Sequence, residues 1–292
     1  MPLAALRLGI LLAGAASLWP GSLAAQVGIR QDGVNHQVEV AQTNGGGPVN
    51  VSQEQQGHRA EVLQQRGTDA QVEILQSGTD NLARVRQVDA QGASAHVVQG
   101  GTQNRAIVEQ QAGVRGAASV RQLGQSGHIA LTQQGSNGRL AAYQGPLATA
   151  SSASIAQHAE AGLAVVEQGV ELPMQPDGLD PAAEFVASAS RTAANATNAV
   201  ASISQSGGAG LLALIIQNGD GPTASITQSG AYLQAQILQS GGAHSAALSQ
   251  LGVGTAEAPY RASIEQHGSR PQSISITQVV GDSPRILRVV QQ

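Results

Sequence analysis

The residue in this sequence whose chemistry returns on schedule is glutamine. A five-residue phrase (small or apolar, any, apolar, any, Gln) reads Ala60-x-Val62-x-Gln64, Ala83-x-Val85-x-Gln87, Ala106-x-Val108-x-Gln110, Ala224-x-Ile226-x-Gln228 and Ala235-x-Ile237-x-Gln239. Its closing glutamines run from Gln31 to Gln168, passing through Gln64, Gln76, Gln87, Gln99 and Gln110. After a gap they resume as Gln205, Gln217, Gln228, Gln239 and Gln250, ending at Gln291, and most steps are 11 or 12 residues. A carboxamide offers no acid–base or nucleophilic chemistry; it both donates and accepts hydrogen bonds. Buried without partners it costs about 1–3 kcal/mol. Identical strands stacked about 4.8 Å apart let each amide bond the ones above and below it. Glutamines at one fixed phase therefore predict ladders, and the ladders are the expected site.

Other reactive residues do not gather. His36, His58, His96, His128, His158, His244 and His267 are scattered, without partners at metal-ligand spacing, and read as turn or surface residues. Gly124-x-Ser126-Gly127 places its second Gly one residue too early for a nucleophile elbow. Asp32, Asp69, Asp80 and Asp89 stand near turns, but the pattern lapses, so repeated calcium turns are not expected. Outward positions vary too much for an ordered ice-binding face. The expectation is no enzyme, no cofactor and no metal.

Alternation of period 2 places the first, third and fifth residues of each phrase on one face of a strand. The third is Ile, Val, Leu or Ala throughout, while intervening positions such as Arg84, Arg86, Ser225 and Thr227 are polar. Short Gly-bearing links follow, as in Gln76-Ser77-Gly78 and Gln239-Ser240-Gly241. A strand plus an arc makes a half-turn, and two half-turns make a rung of about 23 residues, a repeat architecture. The fold expected is all-β: a β-solenoid of stacked strand-turn-strand units, about ten rungs high. Aromatics make up 2% of the chain, consistent with two closely spaced layers of Ala, Val and Ile.

Cysteine is absent, all 15 basic residues are Arg, and the net charge is −4, which gives no nucleic-acid footprint. Residues 1–25 read as a signal peptide: Arg7, an apolar run from Leu8 to Leu18, and small residues Ser22-Leu23-Ala24-Ala25, with cleavage expected before Gln26. That run is too short to span a bilayer, so the mature chain is expected to be secreted with no membrane span. The organisation expected is 1–25 leader, 26–168 repeat array, 169–198 loop insertion and 199–292 repeat array. The insertion carries Pro173, Pro176 and Pro181, which cannot donate to a central ladder. A smaller insert lies at Thr255–Tyr260.

Joined to its turn, the phrase reads Gln76-x-Gly78-x-x-Asn81-x-Ala83-x-Val85-x-Gln87 and again Gln99-x-Gly101-x-x-Asn104-x-Ala106-x-Val108-x-Gln110. This resembles the curlin repeat of the curli amyloid subunits. The resemblance implies a subunit secreted through an outer-membrane pore with periplasmic chaperones, assembling outside the cell with itself and other curlin-type subunits into cross-β fibres for adhesion and biofilm matrix. It also implies that Asn81 and Asn104 begin an Asn ladder beside the Gln ladder. That second ladder is expected to be broken, since the Asn place is held by Leu233 or His244, or Asn comes one residue early at Asn35 and Asn137. The interrupted array suits a minor or nucleating subunit. The competing expectation is a soluble, non-polymerising β-solenoid adhesin, which would need capped ends; strand pattern running from Val27 to Gln291 suggests open edges instead.

Overall fold

The structure is a computed structural model describing residues 7–13 (backbone only), 26–169, 194–281 and 286–292. The described residues form an all-β solenoid of about ten turns, with parallel strands stacked in two long sheets. Successive phrases alternate between the sheets. Sheet 1 runs from Arg7–Ala13 and Gln37–Thr43 up to Ser273–Val279; sheet 2 runs from Val27–Val34 up to Ile286–Gln291. Each sheet has eleven strands. All neighbours pair in parallel and in one register, so Ala stands on Ala, Val on Val and Gln on Gln, as in Ala83↔Ala106, Val85↔Val108 and Gln87↔Gln110.

The register follows from the period-2 pattern, because a one-residue slip would turn every apolar side chain outward. The inward positions of both sheets meet in one continuous core from Val38 to Ile276, built from Ala, Val, Ile and Leu. A small residue at the first place and a larger one at the third let the two layers interdigitate without rings.

Neither insertion breaks the stack. Across the longer one, Ser152–Ala159 pairs with Val200–Gly207 and Leu163–Gln168 with Leu212–Gln217, again Gln on Gln. The solenoid therefore runs straight from the first array into the second. Residues 170–193, most of the expected loop, lie outside the described residues. Where the chain returns, Ala196–Thr197 forms a small side sheet with Ala148–Thr149 and Gly219–Asp220. The shorter insert is a turn in which Thr255 and Ala258 exchange backbone bonds, after which Tyr260 stands in register on Leu233.

Two features depart from the expected wet outer face and glycine arcs. On sheet 2 the outward residues Val165, Leu214, Ile216 and Leu238 are buried together with Ala141 in a second apolar cluster. Ala141, Val165 and Leu214 stand in one outward column and Ile216 and Leu238 in the next, with Gln236 and Glu167 buried in those same columns. In the arcs, many positive-φ places carry Asn, Asp, Arg, Ala or Gln, among them Asn35, Asp80, Arg66, Ala112 and Gln103. Glycine is demanded instead where arcs stack closest. A Cβ on Gly230, at φ +135°, would lie 1.7 Å from the Gly252 carbonyl oxygen of the next rung. Replacing Gly230 with Ala is expected to cost about 1–3 kcal/mol, from the strained φ and the displaced arc, read as a lowered denaturant midpoint of residues 26–292.

Candidate functional site: the amide ladders and their edges

The glutamines close each phrase on the inward side, so the two sheets raise two columns of carboxamides through the interior. Gln64, Gln76, Gln87, Gln99, Gln110, Gln205, Gln217, Gln228, Gln239 and Gln250 are all buried, at 2% exposure or less. In sheet 1 Nε2 of Gln42 donates to Oε1 of Gln64, Gln64 to Gln87, Gln87 to Gln110 and so on to Gln278. In sheet 2 the column runs from Gln31 to Gln291. The bonds are 2.5–3.3 Å long, and every one points its donor toward the C-terminal end. One direction is forced. An amide that donates upward must accept from below, and a reversal would set two donors or two acceptors face to face. Aligned amides polarise one another, which strengthens the column.

A second bond from many of these amides ties the layers together. Nε2 of Gln99 reaches Leu82 O at 3.0 Å, Gln217 reaches Val200 O at 3.0 Å and Gln239 reaches Thr223 O at 3.0 Å. Each bond crosses from one sheet to the mouth of a strand in the other. The ladder thus holds the stack along its axis and across its thickness.

Asn81 and Asn104 lie, as expected, in a second column. Asn81 Oδ1 accepts the Asn104 N–H at 2.9 Å, and Asn104 Oδ1 accepts the Gly127 N–H at 2.9 Å. Their Nδ2 groups reach back four residues to Ser77 O and Gly100 O. This column extends further down than Asn does. His58 Nδ1 accepts the Asn81 N–H at 3.3 Å and His36 Nδ1 accepts the His58 N–H at 3.4 Å. His58 Nε2 lies 2.7 Å from Glu54 O and His36 Nε2 3.3 Å from Asp32 O. A neutral imidazole with its proton on Nε2 has the same acceptor-and-donor pattern as the Asn amide. The two rings stack at 5.2 Å with 8° between planes.

His36, His58 and His244 do lie in the arcs between strands, but they are buried there rather than on the surface, His244 with its Nε2 between Ser240 O and Gly268 O. The signal that could have found them was spacing: His36, His58, Asn81 and Asn104 fall one rung apart. Farther up, the same place holds Gly127, Ser151, Ala199, Pro222 and His244. The side-chain column lapses at Gly127, Ala199 and Pro222, while Ser151 Oγ accepts the Ala199 N–H at 3.4 Å and His244 Nε2 reaches back four residues as His58 does. Leu233 belongs to the opposite arc, where it packs with Leu211 and Tyr260. On that arc the sheet 1 glutamines bond backbone carbonyls directly, as Gln64 does to Ala70 O.

Charges lie on the outer faces and pair along the axis. Glu61 accepts from Arg59 and Arg84 at 2.6 Å, and Arg288 meets Glu265 at 3.0 Å. Burial pushes the Glu61 carboxyl up, but the bonds from Arg84 and Arg59 outweigh it and hold it below the usual range. Among the described residues no group of three or more His, Cys, Asp or Glu is placed to hold a metal, and no helix is long and apolar enough to cross a membrane.

The edges finish the site. Gln42 Oε1, at the bottom of the sheet 1 column, is buried and has no hydrogen-bond partner. The backbone of Arg7–Ala13, part of the expected leader, pairs beside it, and the register sets Leu12 against Gln42, where every later strand sets Gln. The remainder of the expected leader lies outside the described residues. No protein-family model matches the chain, and no curated protein matches it.

Two predictions follow from this geometry. Replacing Gln110 with Leu strands the donor of Gln87 and the acceptor of Gln133, and is expected to cost about 1–3 kcal/mol; replacing Glu109, on the outer face, is expected to change stability by less than about 0.5 kcal/mol. Denaturant titration of both variants distinguishes them. The second concerns pH. Burial, together with His36, lowers the His58 pKa from its ordinary 6.5, outweighing the bond to Glu54 O and the field of Asp80. The unfolded chain then binds more protons than the folded one as pH falls below about 6.5, so stability is full above that pH and declines below it. Chemical unfolding at pH 7.5 and pH 5 should show the loss, and His58→Asn should reduce it.

Proposed function

We propose that this chain is a secreted structural subunit of extracellular curli-type amyloid fibres, serving adhesion and biofilm matrix, in a minor or nucleating role. The observation that carries the reading is the pair of continuous, one-directional glutamine ladders that end at sheet edges. Each rung binds the next by the same bonds, so a strand of the same phrase arriving at an edge gains all that an interior strand has. Gln42 Oε1 supports it further, as a ladder acceptor left without a partner at the lower end of its column, where a further Gln-bearing rung would supply one. The Gln-x-Gly-x-x-Asn-x-Ala-x-Val-x-Gln spelling at Gln76–Gln87 and Gln99–Gln110 supports the curlin comparison. The minor role rests on irregularity: two insertions and an Asn/His column interrupted at Gly127, Ala199 and Pro222 make a poorer uniform building block than identical repeats. Secretion, the pore and the chaperones enter with the leader and the resemblance.

One observation favours the soluble adhesin instead: a strand, Arg7–Ala13, covers the lower edge of sheet 1. The test is assembly of residues 26–292, which contain both ladders whole. Purified and incubated at neutral pH, they should form thioflavin-binding fibres with a cross-β repeat of about 4.8 Å. A monomer that stays soluble over days at high concentration would support the adhesin. In the host, deleting this chain should reduce fibre number and surface attachment.

A further inference from the structure

The strand count fixes how copies must stack. Sheet 2 has eleven strands; sheet 1 has eleven with Arg7–Ala13 and ten without it. The described strands of 26–292 thus number ten in sheet 1 and eleven in sheet 2, an odd number of half-turns that begins and ends in sheet 2. Suppose a second copy is added on top in the same orientation. Its Val27–Val34 lands on Ile286–Gln291. Its Gln37–Thr43 then stands two strand spacings above Ser273–Val279, and one level of sheet 1, about 4.8 Å, is left empty with bare backbone on both sides. Orphaned backbone groups inside a sheet are costly.

Suppose instead that the copy is turned half a revolution about the axis. Its Val27–Val34 lands on Ser273–Val279 and its Gln37–Thr43 on Ile286–Gln291, and every level is filled. Both sheets carry the same inward phrase, so the turn preserves the core register. Gln42 comes over Gln291, Val40 over Val289 and Val38 over Leu287, extending the pairings already seen at Gln266↔Gln291 and Ile264↔Val289. The Gln291 amide then continues its ladder into Gln42 Oε1, the acceptor that has no partner at the foot of the sheet 1 column. On the outer face the same register sets Arg288 against Glu39, an axial Arg–Glu pair like Arg84–Glu61. The unturned copy sets Arg288 against Gly28.

Resting on the fibre reading above, we propose that successive copies of this chain stack head to tail, each turned half a revolution from the last, with Ile286–Gln291 of one copy seated on Gln37–Thr43 of the next. The occupant of the lower sheet 1 edge is thus a second copy. The strand Arg7–Ala13 holds that same position in the full-length chain, offering Leu8, Ile10 and Leu12 in register where a neighbour offers Leu287, Val289 and Gln291. It therefore competes with the neighbour, without supplying an amide for Gln42.

Because the chain has no cysteine, cross-linking reads the register directly. In parallel neighbours, adjacent-strand Cα atoms fall within the 4.4–6.8 Å typical of a disulfide. Residues 26–292 carrying Glu39→Cys and Arg288→Cys, assembled and then oxidised, should give a ladder of disulfide-linked multimers. The pair Gly28→Cys and Arg288→Cys should give none. Fibres linked through 28 and 288, or through neither pair, overturn the half-turn stacking and leave the fibre reading standing; a chain that forms no fibres overturns both. As an independent arm, Glu39→Arg should slow elongation about fivefold, in line with about 1 kcal/mol for a part-exposed pair, and Arg288→Glu in the same chain should restore it. Failure of the double variant to restore the rate counts against the register.

Discussion

The carboxamide that must bond its own kind above and below governs this molecule. A glutamine facing the interior has no water to turn to, and in a single strand it has no partner. Stacking solves both problems, and only with strands parallel, in register and one spacing apart. From that follow the flat ladder, the Gln-on-Gln registry and the polarity of the columns. The apolar core supplies most of the burial and forbids one-residue slips, but a two-residue slip would keep Ala, Val and Ile inward while breaking the amide columns.

The second bond that many of the amides make helps explain why the two sheets stay together over so thin a core. Bonds such as Gln99 to Leu82 O and Gln217 to Val200 O stitch each strand end to the opposite layer. The arcs are stacked as closely as the strands, which is why Gly230 lies under the carbonyl of Gly252. Insertions are tolerated where they leave an arc and return to the same register, because the cost of a longer loop rises slowly with length while a lost register would cost a whole rung. The same registry that makes the interior stable makes each end a template, so folding and association use one set of bonds.

The lower rungs show how side chains of different chemistry serve one geometric role. His36 and His58 stand below Asn81 and Asn104, and each accepts the backbone N–H of the rung above. His58 brings a property that Asn lacks, since its protonation removes the Nδ1 acceptor and places a charge in a buried site. This end of the solenoid is thereby sensitive to acid, whereas the amide columns are not ionisable at all.

Much of this was legible in the sequence, and for a physical reason: a period of 11 or 12 residues with Gln at one phase has few solutions other than stacked half-turns. The strands, the inward face and the ladder residues from Gln64 to Gln250 follow from it, while the place of Asn81 and Asn104 comes from the resemblance to the curlin repeat. What the repeat could not reveal is which half-turns lie over one another. At a single-phrase period both arcs look alike, so Leu233 passes for a broken Asn place and His36 and His58 for surface residues. Folding sends alternate phrases to opposite sheets, and only then do His36, His58, Asn81 and Asn104 fall into one column and Leu233 into another. The continuity of the stack across the long insertion, the buried outer face at Val165, Leu214 and Ile216, and the unequal strand count of the two sheets likewise arise from contacts between rungs. Such contacts are long-range in the chain, and tertiary structure alone decides them.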